Sequence, residues 1–517
     1  MLGHALVPPG TRTRAPRHRA PRRSAPRRAV LTSLIWGGAV SAVLAGYLTL
    51  HTGNKLPMLA VVGLATVVPL VRWPRLASIL VLILWAGPFG SAFLASYAPR
   101  GRADLPGIGV MALSLVGVGF AWFFARRTGP LRIETLGRFA VPVLLFLATF
   151  LFGMAVSVRK GAPPTDLVYN SLPVMAFLSY FLFRAAYAGR SHVLARDMIL
   201  VTAIFGVVAS IATLVGFAPL AGSQINFVIT GDAVSEAKRL DAPLLRLMSL
   251  TILMLGVGSI MRHGRWRHLR FPLLLAMVFT EAMSLTRSTW APLILGAIAL
   301  PALWSCRPAR TLVLRVLAAL LIAVAGVSVA STGALGAQGK TIADRLLSTT
   351  NTETTKEGSL KLREEEIDKA LAQVEQHPVT GVGFFQPYGV YWKTFDNDLE
   401  TTTYTPQQFI HQSYLGVWIW LGLPGVAALA YLFWSVVRAG WSVWRTRDAD
   451  RSTPIACLGG LFCLALSSSF QTNIIYAPAY VAAAGGLAYV DLWLTERRAK
   501  HVTPPVPRLN RTLTRSL

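Results

Sequence analysis

Apolar residues run along this chain in blocks of about 16 to 22, near the length at which a helix spans the hydrocarbon of a bilayer. The blocks fall at 31–50, 56–71, 76–97, 107–125, 139–158, 167–187, 198–218, 243–261, 271–285, 288–306, 311–332, 409–439, 456–470 and 477–495. They predict an all-α integral membrane protein, polytopic, with about 14 transmembrane helices (about 12–14) and one large external loop. The long polar stretch, 333–408, interrupts this pattern. Within it Leu362, Ile367, Leu371 and Val374 recur near helical spacing, which predicts an amphipathic helix lying on the membrane. That helix ends before His377-Pro378-Val379-Thr380-Gly381-Val382-Gly383-Phe384, because proline disfavours helix in the residue before it and two glycines permit a tight turn.

Composition agrees: 53% of the chain is hydrophobic and only 14% charged. The charge that is present carries topology. Arginines crowd every second connection, from Arg72/Arg75 through Arg126/Arg127/Arg132/Arg138, Arg184/Arg190/Arg196, Arg262/Arg265/Arg267/Arg270 and Arg307/Arg310 to Arg438/Arg445/Arg447/Arg451 and Arg497/Arg498. The positive-inside rule then predicts cytoplasmic termini. The alternate connections are poorer in Lys and Arg, and residues 333–408 hold about half of the acidic residues, so this segment faces a periplasm or the cell exterior.

The expected organisation is a disordered basic cytoplasmic tail (1–28), transmembrane helices (29–332), the external loop (333–408), further transmembrane helices (409–495) and a cytoplasmic tail (496–517). The net charge of +27 lies at membrane edges and in the N-terminal tail, which favours anionic headgroups over nucleic acid as its partner. The apolar run after Ala29 is too long for a signal-peptide core and reads as an uncleaved anchor. Cys306, Cys457 and Cys463 have neither zinc-ligand spacing nor an even count, and the chain lacks a Walker or dinucleotide-binding glycine loop.

One region combines several elements: Ser284-Leu285-Thr286-Arg287-Ser288-Thr289-Trp290 between two apolar blocks, Arg363 ahead of a short helix, Pro378-x-x-Gly381-x-Gly383-Phe384, and His411-Gln412 followed after nine residues by Gly422-x-x-Gly425. Together they resemble the signature of the O-antigen ligase and polymerase superfamily, over about residues 280–440. The resemblance implies a membrane-embedded glycosyltransferase of the C type (GT-C-like) that needs neither metal nor cofactor. Such an enzyme passes a glycan from an undecaprenyl-diphosphate carrier to an acceptor hydroxyl outside the bacterial cytoplasmic (inner) membrane. The acceptor is lipid A core for a ligase, the growing glycan for a polymerase, or a protein hydroxyl.

The chemistry of the residues agrees with that expectation. His411 suits a general base, since a neutral imidazole is available near neutral pH. Arg287 and Arg363 offer planar forks of donors suited to a diphosphate, and Arg345 stands earlier in the loop where the family often carries another arginine. Each has a plainer reading: a hydrogen-bonded interface histidine, a snorkelling Arg287, an Arg363 paired with Glu366 or Asp368. Gln412 would orient the sugar or the imidazole. Gly381 and Gly383 serve a turn, and Gly422 and Gly425 serve close packing or a helix break. Asp396-Asn397-Asp398 with Glu400 has the spacing of a metal-holding motif but reads as solvated loop. A transporter or lipid-linked-glycan flippase is the competing class, although it should show charges or paired broken helices at mid-membrane.

Overall fold

The computed structural model describes residues 74–86, 136–215, 227–230, 233–238, 245–258, 260–261, 266–284, 287–304, 359–396, 401–406, 408, 410–446, 449–469, 471, 473 and 477–502. The helices are α1 (Pro74–Ala86), α2 (Ala140–Arg159), α3 (Pro164–Met175), α4 (Ser179–Ala186), α5 (Ser191–Val215), α6 (Leu245–Val257), α7 (Arg270–Met283), α8 (Arg287–Trp304), α9 (Ser359–Gln376), α10 (Ser413–Arg445), α11 (Ser452–Ser467) and α12 (Ala477–Val502). Two antiparallel hairpins complete the order: β1 (Phe227–Thr230) with β2 (Ala233–Lys238), and β3 (Tyr391–Asp396) with β4 (Thr401–Pro406). The helical class therefore holds, and both hairpins lie outside the apolar blocks. The predicted helices at 31–50, 56–71, 107–125 and 311–332 lie outside the described residues.

Among the described residues three helices are long and apolar enough to cross a bilayer: Ala140–Arg159, Ser191–Ile211 and Ser413–Arg445. Shorter apolar helices accompany them at Pro74–Ile83, Pro173–Ala186, Leu245–Gly256 and Ser452–Ser467. Two predicted blocks are not single regular helices. The block at 167–187 is divided by a 3-10 turn, Ala176–Leu178, which follows Pro173, where proline removes one helical hydrogen bond. The block at 409–439 starts its helix only at Ser413 and changes direction at Gly422.

α12 sits at the centre, packed by α1, α4, α5, α6 and α11. Small residues bring these helices together, because a Cβ on Gly460 would stand 2.4 Å from Leu250 Cα and one on Gly486 would stand 2.8 Å from both Leu250 and Leu461. One end of the bundle is tied by buried charge. Arg75 grips Asp197 bidentately at 2.7 and 2.9 Å, and the Tyr187 hydroxyl donates to the same carboxylate at 2.9 Å. Arg184 and Tyr180 both donate to Asp491, at 2.6 and 2.7 Å. Ser191 donates to Glu496, Arg138 to Ser442 and Arg497 to Asp450. These partners come from the arginine-rich connections, which the fold thus gathers at one end. The opposite end carries the C-termini of α2 and α11, the start of α10, and α9.

Candidate active site

The site begins with a helix that the sequence prevents from closing. Gly422 has φ +63° and ψ −159°, a combination open essentially to glycine alone. Two residues on, Pro424 has no N–H to return to Trp420. Backbone groups released by this break are taken up by another segment. Leu423 N donates to the carbonyls of Pro378 and Val379, both at 3.1 Å, while Val382 N donates to Ile419 O at 2.6 Å. The Pro378–Phe384 loop thus completes α10 at its break, and Trp418 Nε1 adds a bond to Pro378 O at 3.3 Å.

This contact is backbone against backbone, so it explains the glycines on both sides. Gly381, at φ +68°, could not carry a Cβ without approaching Ile419 O to 2.5 Å and Gly422 N to 2.8 Å. Gly383, at φ +103°, lies as close to Ser157 at the end of α2. The Ser157 hydroxyl donates to Phe384 O at 2.8 Å, and Phe384 N donates to Gly153 O at 3.0 Å. Phe384 then fills the space between α2 and α10, edge-on to Phe150 and to Trp420. Gly425 packs against its own preceding turn, where a Cβ would meet Leu421 Cβ at 2.4 Å. The glycine alternatives therefore divide: Gly422 makes the break and Gly425 the close packing.

α9 leads directly into that loop and packs on α10. Its buried face is Glu366, Ala370 and Val374, spaced four residues apart. Glu366 is 1% exposed and faces His411, which is 31% exposed at the start of α10. The imidazole Nδ1 lies 3.0 and 2.9 Å from the two carboxylate oxygens. Two acceptors on that side assign the proton to Nδ1, so the neutral ring presents its lone pair at Nε2. The same carboxylate acts on Tyr388, which is buried: desolvation pushes the phenol up, and the Glu366 charge adds to that shift, so Tyr388 keeps its proton.

Arg363 is half-buried on α9, one turn before Glu366, and makes no ion pair among the described residues. The expected alternative of an Arg363–Glu366 pair gives way to the Glu366–His411 pair. Gln412 is the extended residue that opens α10; its side chain makes no capping hydrogen bond, and its carbonyl accepts from Gly416 N at 2.9 Å. Arg287 is the first residue of α8. The turn before it is held by Trp290 Nε1 donating to Glu281 O at 2.7 Å. Pro292, within two turns of Arg287, accepts from Cys463 near the C-terminus of α11, which puts the start of α8 at the same end of the bundle as His411. Arg345 and Asp398 lie outside the described residues, and Asp396 ends β3.

Glu366 is the site residue that sequence reading undervalued. Of the three consecutive glutamates, only Glu366 falls in register with Ala370 and Val374, while Glu364 and Glu365 are exposed. A carboxylate at an apolar register position was the available signal.

A family model described as O-antigen ligase matches residues 272–430. That span runs from α7 through α9 and the break to the middle of α10. A comparison with curated proteins gives no match.

Proposed function

We propose that this chain, a member of the O-antigen ligase and polymerase superfamily through residues 272–430, is a membrane glycosyltransferase. It transfers or polymerises a saccharide from an undecaprenyl-diphosphate-linked donor onto an acceptor hydroxyl at the outer face of the bacterial cytoplasmic membrane. The observation that carries this reading is His411 held through Nδ1 on Glu366, which leaves Nε2 as a proton acceptor at the end of the bundle that holds the start of α8. In the reaction the acceptor O–H gives its proton to Nε2 while its oxygen bonds the anomeric carbon. The bond from that carbon to the diphosphate breaks, and its electron pair leaves on the diphosphate oxygen. Arg287 and Arg363 neutralise that oxygen cluster, joined by Arg345 from the loop. Gln412 contacts the sugar. The acceptor is a glycan or lipid A core, and no metal takes part.

The same reading sets the topology. The arginine-tied end faces the cytoplasm together with both termini, and residues 333–408 face outward. Single cysteines placed in that loop are expected to react with a membrane-impermeant maleimide in intact cells; reaction only after lysis overturns the orientation and the site with it.

Transfer itself is tested on the purified full chain, in excess EDTA, with the lipid-linked glycan that accumulates in cells lacking the protein. The wild type is expected to consume this donor and form a glycosidic product, whereas a flippase would only move it across the bilayer. Arg287→Lys and Arg363→Lys keep the charge but lose the bidentate fork, so each should slow transfer, and the Ala variants should slow it further. Normal turnover by both Lys variants would remove diphosphate recognition from these arginines. Activity lost to EDTA and restored by magnesium would overturn the metal-free mechanism.

A further inference from the structure

We infer that Glu366 is a positioning residue: its carboxylate fixes the tautomer and the direction of the His411 imidazole, which makes the external helix α9 a working part of the reaction centre. The inference rests on the reading of His411 as the general base. Its geometry is direct, with Nδ1 within 3.0 Å of both carboxylate oxygens and Glu366 almost fully buried. A second, weaker approach comes from His411 N, 3.5 Å from Oε2, so the carboxylate addresses the backbone as well as the ring.

Stability alone gives a poor account of this pair. Glu366 occupies the register of Ala370 and Val374 on the face of α9 that packs against α10. An apolar side chain would fit that register without desolvating a charge, whereas a buried carboxylate is costly unless the hydrogen bonds it makes repay its desolvation. What an apolar residue cannot do is choose between the two imidazole tautomers. With Nδ1–H held on a carboxylate, the lone pair is at Nε2 in every neutral molecule, and the carboxylate stabilises the imidazolium that forms when Nε2 takes the acceptor proton. Arg363 stands one turn earlier on the same helix. The one element that aims the base thus also carries a group proposed for the leaving diphosphate.

The test uses the purified full chain in nanodiscs, with two independent readouts. With ¹⁵N-labelled histidine, and with His411→Gln to assign the signal, the wild-type imidazole is expected to be protonated at Nδ1. In Glu366→Gln this tautomer should lose its dominance. With the accumulated lipid-linked glycan as donor, Glu366→Gln should lower kcat by about 10²-fold or more while KM stays near wild type. That loss should disappear in a His411→Ala background. Glu366→Asp, which keeps the charge, should retain more kcat than Gln, and it carries the test if the Gln variant does not insert. Near-wild-type kcat in Glu366→Gln overturns the inference, as does an unchanged Nδ1–H tautomer in a variant that has lost activity. If His411→Ala proves active while the tautomer behaves as expected, the base reading fails and the pairing survives.

Discussion

His411→Ala is expected to lower the rate of glycan transfer by about 10²–10⁴-fold, the usual share of a general base, while the protein still inserts and accumulates normally. Insertion should be spared because His411 lies outside the helices, in the segment before Ser413, and is partly exposed. Its removal deletes no apolar packing of the kind that holds α12 among its neighbours. The cost falls elsewhere: Glu366 would be left buried without its imidazole partner, a local destabilisation that His411→Gln reduces by keeping a donor near the carboxylate. Both variants should fail in transfer, because an amide cannot accept the acceptor proton at the Nε2 position. The measurement is single-turnover transfer from the lipid-linked donor, with folding followed by monodispersity in detergent. Retained transfer in either variant would return His411 to a structural role.

The helices were legible because lipid leaves little choice: a segment that spans hydrocarbon must satisfy its own backbone and be apolar over its length. α2, α7 and α8 match their predicted blocks to within about two residues, as expected for boundaries. The division after Pro173 was signalled by that proline, but a run of apolar residues on both sides concealed it. Both hairpins also had a signal. Gly231-Asp232 separates Phe227-Val228-Ile229-Thr230 from Ala233-Val234, and Thr401-Thr402-Thr403-Tyr404 is β-branched and aromatic. In a chain dominated by long apolar blocks, strands of four to six residues are easily read as loop.

The site was legible in its residue types and less so in its pairings. Gly381 and Gly422 meet in one backbone junction, with Gly383 beside it on Ser157, whereas His411 meets α9 separately, through Glu366. What sequence could not supply was the partner. Glu366 lies 45 residues before His411, and the groups that complete α10 come from Pro378–Val382. No local periodicity connects segments so far apart; the contact exists only once α9 has docked on α10.

That docking gives the second large effect, Gly422→Ala. An alanine at φ +63° and ψ −159° is strained by about 1–3 kcal/mol. Its Cβ would also stand 2.1 Å from Val379 O and 2.7 Å from Gly381 N, both backbone atoms that no rotamer change can move. The loop must withdraw, which breaks the bonds from Leu423 N to Pro378 O and Val379 O and from Val382 N to Ile419 O, each worth about 0.5–1.5 kcal/mol. Strain and lost bonds together give an expected destabilisation of about 3 kcal/mol or more. Function should suffer as well, because Pro378 follows the C-terminal end of α9 almost directly. A displaced loop pulls Glu366 away from His411 and leaves the imidazole without its fixed direction. Gly389→Ala supplies the control, since that glycine also has positive φ (+92°) but nothing within 4 Å of a Cβ; it should suffer backbone strain alone and remain active. Thermal unfolding in detergent and transfer from the lipid-linked donor are then compared across the two variants. If Gly422→Ala is as stable and as active as Gly389→Ala, the loop does not complete α10 in the working protein, and the geometry proposed for Glu366 and His411 loses its support.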